Sequence, residues 1–160
     1  MGARNKSGHV GLGNALMSAA ASEPHRMALR VYYEDTDAAG MVYHSNYLKF
    51  AERGRTEMLR FLGFDHSRLR QQAGIVFTVR RCDIEYRAAA RLDDPLTVET
   101  HVDGIAGATL SLRQLVCRDD EVLAALNVLV ACVGENGRPR RVPAPLRAAL
   151  AGGAAATPAL

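Results

Sequence analysis

Two aspartates, a glycine and a histidine lie close together in the segment from Tyr32 to Tyr47, which reads YYEDTDAAGMVYHSNY. The aspartates are Asp35 and Asp37, and Gly40 and His44 follow them. Polar loops between apolar elements commonly carry catalytic groups. A carboxylate can act as base or nucleophile, and a helix start offers N–H donors to a developing oxyanion. The segment is therefore the candidate active site, although aspartate also caps turns and the residues alone leave that role open for Asp37.

A strand and a helix are predicted on either side of this loop. Ala28 to Glu34 contains the valine and tyrosine residues typical of strands. Apolar residues at helical spacing predict a helix from about Ser45 to Leu62, which Ser45 or Asn46 can cap at its start. The loop is therefore expected between the end of a strand and the start of a long helix.

The buried stripe of this helix includes a glycine, Gly54. Glycine in a helix costs about 1 kcal/mol relative to alanine, so close backbone packing is expected at this position. The other residues of the predicted stripe are Tyr47, Phe50, Ala51, Met58, Phe61 and Leu62. A sheet wrapped round the helix would require such a close approach.

After Gly74 the apolar period changes from helical to alternating, which predicts strands. A change of parity between Arg80 and Cys82 indicates a bulge in the first of them. The last strand is apolar on both faces and should lie inside the sheet. The predicted strands run from Ile75 to Tyr86, Leu96 to Asp103, Thr109 to Cys117 and Val122 to Val133, with a turn at 104–107. One strand, a long helix and four antiparallel strands form an α+β layout.

The bulk properties narrow the class of protein. A chain of 160 residues is one domain by its length, and its charge of +3 is scattered rather than clustered, which argues against nucleic acid as a partner. No apolar run reaches the roughly 18 residues of a membrane span. The three cysteines, Cys82, Cys117 and Cys132, lie in apolar runs and are expected to be buried and reduced. We expect a disordered leader at 1–26, one domain at 27–150 and a disordered tail at 151–160.

The loop from Tyr32 to Tyr47 resembles the signature of the hotdog-fold acyl-CoA thioesterases of the 4-hydroxybenzoyl-CoA thioesterase family. Within that family it is most similar to the thioesterases associated with the bacterial Tol-Pal system. The resemblance runs from about Leu29 to about Leu150 and includes the Asp-Asp-Pro-Leu sequence at 93–96. It implies a hotdog fold, in which a five-stranded antiparallel sheet wraps around one long central helix.

The resemblance also implies roles for individual residues. The acid before the Ala-Gly turn, here Asp37, attacks the thioester or activates water. The backbone N–H of His44 donates to the thioester oxygen, whereas its side chain is either a proton shuttle or structural. Gly40 allows the tight turn, and Tyr43 and Tyr47 either line the acyl pocket or pack in the core. For the nucleotide part of coenzyme A the sequence offers surface arginines, of which Arg80, Arg81, Arg87 and Arg91 are the nearest candidates. Solvated strand arginines without a ligand are the alternative interpretation of each.

No metal or redox cofactor is expected. The loop matches the first half of a calcium-binding EF-hand, but Asn46 stands at position twelve, where a bidentate glutamate belongs. The five histidines are spread without ligand spacing. The sequence also lacks the Gly-x-Ser-x-Gly motif of serine hydrolases.

Two functions are therefore considered. The first is a cytoplasmic acyl-CoA thioesterase that works as a homodimer or homotetramer, because hotdog relatives pair their sheets. The second is a non-catalytic hotdog scaffold that binds acyl carrier protein or lipid-synthesis enzymes near the Tol-Pal system. The intact acidic loop favours the enzyme.

Overall fold

The computed structural model of the chain describes residues 23–153. Its strands are β1 (His25–Arg30), β2 (Ile75–Tyr86), β3 (Pro95–Ala106), β4 (Thr109–Arg118) and β5 (Glu121–Gly134). Its helices are α1 (Asn46–Phe61), the short α2 (His66–Arg68), which continues as a π-helical turn over Leu69–Ala73, and α3 (Ala144–Gly152). The predicted leader and tail lie largely outside the described residues. Within 23–153, no helix has the length and apolarity needed to cross a membrane.

The strands form one five-stranded antiparallel sheet in the order β1-β3-β4-β5-β2. β5 lies between β4 and β2, so its predicted place inside the sheet is confirmed. The register of β2 on β5 shifts between Val79 and Arg81, which is the predicted bulge. The predicted α+β class and antiparallel sheet are therefore correct.

Helix α1 packs on one face of the sheet, and Gly54 in its buried stripe allows the helix backbone to approach β3 closely. A methyl group on Gly54 would lie 2.7 Å from Val98 Cγ1 and 3.2 Å from Thr100 Oγ1, both on β3. Gly63, with φ of +86°, follows the helix and ends it. The expected close approach between helix and sheet is confirmed.

Several boundaries and exposures differ from the prediction. β1 spans His25–Arg30 rather than Ala28 to Glu34, because its ladder with β3 ends at Arg30 and a 3₁₀ turn begins at Tyr33. β3 continues to Ala106 through a bulge after Val102, and the turn falls at Gly107, whose φ is +60°. Cys82 is exposed because it lies on an edge strand. Phe61 is also exposed, at the last turn of α1.

Candidate active site

The loop between β1 and α1 folds back on itself. Thr36 forms a β-bridge with Val42. Inside this pair the Asp37 N–H donates to the Met41 carbonyl at 2.8 Å, and the Gly40 N–H donates to the Asp37 carbonyl at 3.0 Å. Gly40 has φ of +75°, a backbone conformation that residues other than glycine rarely adopt. The tight turn predicted from Gly40 is therefore present and presents Asp37 at its start.

The Asp37 carboxylate is held on one side and open on the other. Its Oδ1 accepts hydrogen bonds from the Ala39 N–H at 2.8 Å and the Met41 N–H at 3.2 Å. Its Oδ2 has no hydrogen-bond partner among residues 23–153, and the residue is exposed. One oxygen therefore fixes the side chain while the other remains free to attack a carbonyl carbon or a water proton.

Asp35, two residues earlier, has the opposite environment. It is only 7% exposed, and its Oδ2 accepts from the Tyr32 N–H at 2.8 Å. Its carbonyl accepts from the Tyr43 N–H at 2.9 Å and from Asn46 Nδ2 at 2.8 Å. Asp35 therefore joins the base of the loop to the first residue of α1.

The predicted cap of α1 is wrong in its detail. Ser45 occupies the cap position, but its side chain makes no capping hydrogen bond. The buried Asn46 side chain turns away from its own helix to donate to Asp35. The first N–H groups of the helix consequently keep no side-chain acceptor from Ser45, which suits an anion-binding role at this end.

His44 lies immediately before α1 and presents its backbone to the loop. Its N–H donates to no acceptor in the described part of the chain, whereas its carbonyl accepts from the Tyr86 hydroxyl at 2.8 Å. The imidazole is exposed and contacts the Tyr43 ring in a tilted arrangement, with ring centroids 4.4 Å apart and 56° between the ring planes. The helix macrodipole adds positive potential at this end. The free N–H is thus available as a hydrogen-bond donor at this end of the helix.

Tyr86, at the end of β2, was not predicted as a site residue. It orients the His44 carbonyl and stands edge-on to Tyr47, at a centroid distance of 5.5 Å. Partial burial raises the pKa of its phenol. Its alternation within β2 was visible in the sequence, but its contact with a residue 42 positions away was not.

The two predicted pocket tyrosines have different environments. Tyr43 is half exposed beside the His44 ring, where a ligand can reach it. Tyr47 is 2% exposed, packs edge-on to Phe50 and accepts a hydrogen bond from the Ala90 N–H at 3.0 Å. Of the two interpretations, core packing therefore describes Tyr47 in this chain.

Arg80 and Arg81 lie at the bulge of β2 and are exposed. Arg81 forms an ion pair with Asp83 at 2.9 Å. No hydrogen bond joins either arginine to the loop within residues 23–153, so their contact with coenzyme A stays a prediction.

An apolar cavity of about 150 Å³ lies beside α1. Its apolar walls come from α1, β2, β4 and β5 and include Leu59, Phe77, Leu112 and Val130. Its residue nearest the helix start, Glu52, is six positions after Asn46, or about 9 Å along the axis. The cavity is therefore farther along the same helix whose start carries His44.

Metal ligands are not grouped anywhere in the described residues. Within 23–153, no three His, Cys, Asp or Glu side chains stand close enough to hold an ion.

Comparison with known proteins identifies the family. The model of the thioesterase-like superfamily matches residues 31–150. The acyl-CoA thioesterase YbgC of Haemophilus influenzae is 49% identical over 105 residues, which are 66% of this chain and 77% of that protein. The acyl-CoA thioester hydrolase YbgC of Escherichia coli O6:H1 is 43% identical over 120 residues, covering 74% of this chain and 89% of that protein.

A solved structure agrees with these relatives. The crystal structure of a probable thioesterase from Bartonella henselae superposes with a TM-score of 0.72 at 37% identity, covering 75% of this chain and 99% of that chain. The chain therefore belongs to the thioesterase-like superfamily, has the hotdog fold and is a thioester hydrolase, as the loop motif predicted.

Proposed function

We propose that this thioester hydrolase acts on acyl-CoA, with Asp37 as nucleophile or general base and the His44 N–H as oxyanion donor. The observation that carries the proposal is the pair of free groups at one end of α1. Asp37 Oδ2 and the His44 N–H are both without partners in the described chain, although the atoms around them are hydrogen-bonded. Names of the relatives supply the substrate class, because both YbgC proteins are described as acting on acyl-CoA.

The reaction needs only these groups and water. Asp37 Oδ2 either adds to the thioester carbonyl carbon or removes a proton from a water that adds there. The charge that develops on the carbonyl oxygen is met by the His44 N–H and the positive end of α1. Collapse expels the coenzyme A thiolate. In the nucleophilic route water then hydrolyses the mixed anhydride, so both routes consume one water and give the free acid and coenzyme A.

We also propose contacts for the rest of the substrate. We place the acyl group along α1 towards the apolar cavity, with the exposed Tyr43 beside the thioester. Gly40 leaves the turn without a side chain, and no atom lies within 4 Å of where its Cβ would be. The phosphates of coenzyme A would meet surface arginines, with Arg80 and Arg81 as the proposed pair.

The proposed assembly is a homodimer or homotetramer acting in the cytoplasm. β2 is an edge strand, and an uncovered edge invites pairing with another strand. Val79 and Tyr86 are half exposed on that strand. Pairing of two copies through β2 would cover the edge and bring the second copy close to Tyr86.

The test compares two carboxylates two residues apart. Coenzyme A release is measured from a panel of short, long and aromatic acyl-CoA thioesters for wild type, Asp37→Asn and Asp35→Asn. Asp37→Asn keeps the side-chain volume and removes the charge, so we expect turnover to fall by about 100-fold or more with folding retained. Asp35→Asn should cost much less turnover, because that carboxylate is turned into the loop.

Two outcomes would contradict the proposal. If Asp37→Asn kept most of its turnover, or if Asp35→Asn were the inactive variant, the assignment of the reacting carboxylate would be wrong. If the wild type released no coenzyme A from any thioester of the panel but bound acyl carrier protein, the scaffold alternative would replace the enzyme. The chain length with the highest kcat/KM also reports the depth of the acyl site.

A further inference from the structure

The Asp-Asp-Pro-Leu sequence at 93–96 carries an ion pair behind the catalytic loop. Asp94 Oδ2 accepts from the Arg91 N–H at 2.9 Å and from Arg118 Nη1 at 2.8 Å. The same Arg118 nitrogen lies 3.2 Å from the Ala89 carbonyl. One guanidinium on β4 therefore joins both ends of the segment from Ala89 to Asp94.

This segment supports the loop directly. The Val42 N–H donates to the Ala90 carbonyl at 2.9 Å, and Met41 forms a β-bridge with Arg91. Ala90 is fully buried, and its N–H donates to the Tyr47 hydroxyl of α1 at 3.0 Å. The segment thus lies between α1 and the returning arm of the loop and contacts both.

The returning arm in turn holds the reacting carboxylate. The Met41 N–H is one of the two donors to Asp37 Oδ1, and the Met41 carbonyl accepts the Asp37 N–H at 2.8 Å. A displacement of the supporting segment would therefore move Met41 and turn Asp37 Oδ2. A misplacement of about 1 Å far from the chemistry can cost about 100-fold in rate.

We propose that Asp94 and Arg118 form a clasp that positions the catalytic loop, so that both are positioning residues for thioester hydrolysis. The clasp rests on the proposed function, because its effect is transmitted to Asp37. It is more than an exposed ion pair of little consequence: the side chains are 23% and 29% exposed, and both partners also bond to backbone groups of the supporting segment. The clasp contributes to the geometry of the loop, so its loss should lower kcat more than it changes KM.

The first variant to test is Asp94→Asn. The new amide oxygen can still accept the Arg91 N–H, whereas the Asp94 charge that pairs with Arg118 Nη1 is removed and the ion pair of Arg118 Nη2 with Glu121 stays. We expect kcat to fall by about 10-fold and KM to change by less than about twofold, since substrate contacts are intact. Assays run well below the melting temperature of each variant, so that the folded fraction is the same.

Glu99→Gln is the matched control. Glu99 is 22% exposed, forms an ion pair with Arg26 of β1 at 3.1 Å and lies 3.4 Å from His101 Nε2, and among residues 23–153 no hydrogen bond or ion pair joins it to the segment from Ala89 to Asp94. This variant should keep its kcat within about twofold of wild type. An equal loss of kcat in Glu99→Gln would show that any strand ion pair matters and would overturn the clasp.

Two further variants keep the proposal testable if Asp94→Asn folds poorly. Arg118→Lys keeps the charge but cannot reproduce the guanidinium fork, whose Nη1 contacts Asp94 and Ala89 while its Nη2 donates to Glu121 Oε2 at 2.7 Å, so kcat should again fall by about 10-fold. In the double variant Asp94→Asn with Arg118→Lys, the loss should be no larger than the larger single loss, because one unit is broken. Additive losses would contradict a shared clasp.

The outcomes separate the clasp from the function on which it rests. If Asp37→Asn is inactive while Asp94→Asn and Arg118→Lys keep wild-type kcat, the clasp is wrong and the proposed function stands. If Asp37→Asn keeps its turnover, both proposals fail, because the clasp then has no catalytic group to position.

Discussion

The start and the middle of α1 are fixed to the protein in different ways. At the start, Asp35 and Asn46 tie the helix to the loop, but the His44 N–H and Asp37 Oδ2 have no partner in the described chain. In the middle, Gly54 lies against β3 with no room for a methyl group. The first region keeps polar atoms without partners, and the second leaves no space between the helix and β3 at Gly54.

The buried polar groups around the middle of the helix have hydrogen-bond partners. Gln114 on β4 is fully buried, and its Nε2 donates to the Ala51 carbonyl at 2.8 Å and to Thr100 Oγ1 at 2.9 Å. Its Oε1 accepts from Arg55 at 2.9 Å. Buried polar groups are normally paired in this way. The contrast teaches that a rigid, satisfied middle allows the helix start to hold unsatisfied donors at a fixed place.

Among the substitutions that test this contrast, we expect His44→Pro to have the largest effect, which is on the rate of hydrolysis. Proline removes the N–H, and loss of one oxyanion donor typically costs about 100- to 1000-fold in rate. His44→Ala keeps the N–H and should retain measurable activity. Proline is tolerated near helix starts, so we expect the variant to fold. The circular dichroism of both variants must match that of wild type before their kinetics are compared.

The outcome that contradicts the backbone role is specific. If His44→Ala were as inactive as Asp37→Asn, the imidazole itself would be catalytic. Tyr86→Phe gives an independent measurement, because it removes the hydrogen bond to the His44 carbonyl and leaves the N–H in place. We expect it to reduce kcat less than His44→Pro does.

Gly54→Ala tests the other side of the comparison. Alanine favours a helix by about 1 kcal/mol over glycine, yet the new methyl would meet Val98 Cγ1 at 2.7 Å. Overpacking typically costs about 1–3 kcal/mol, so the free energy of unfolding in urea should fall despite the better helix former. Turnover of the folded enzyme should change little, because the helix start is not touched.

Gly152→Ala is the matched control for this substitution. Gly152 is also helical, in α3, and apart from its chain neighbours and its own helix backbone no residue of the described range 23–153 places an atom within 4 Å of the position of its added Cβ. It should leave the free energy of unfolding equal or slightly higher. If Gly54→Ala were as stable as wild type, the close contact of α1 with β3 would be absent.

The elements whose residues follow a periodic pattern along the sequence were predictable. The helical stripe around Gly54 and the change of parity near Arg81 are patterns of neighbouring residues, and both features are present. The start of β1 at His25 was missed, because its register is set by pairing with Thr100 in a distant strand. Local pattern therefore predicts elements better than their ends.

The candidate site was predictable only in part for the same reason. The family resemblance distinguished Asp37 from Asp35, whereas composition treats two aspartates in one loop alike. The contacts of Asp94 with Arg118, 24 positions later, and of Tyr86 with His44 bring together residues that no local spacing connects. Supporting residues were missed because their partners are determined by the folded sheet.

The smallest expected effect is a change in stability at acid pH. It distinguishes the charged contact of Asp94, behind the loop, from the uncharged contact of Gly54. The Arg91 N–H and the Arg118 guanidinium lower the pKa of the Asp94 carboxyl below its ordinary value. A carboxyl with a lowered folded pKa stabilises the protein above its unfolded pKa, and this contribution is lost as the pH falls through the folded pKa. The stability difference between wild type and Asp94→Asn, measured by urea unfolding, should therefore be constant near neutral pH and shrink below about pH 4. Gly54→Ala changes no titrating group, so its difference from wild type should keep the same value over that range, and a parallel decline in both variants would show that Asp94 is not the source.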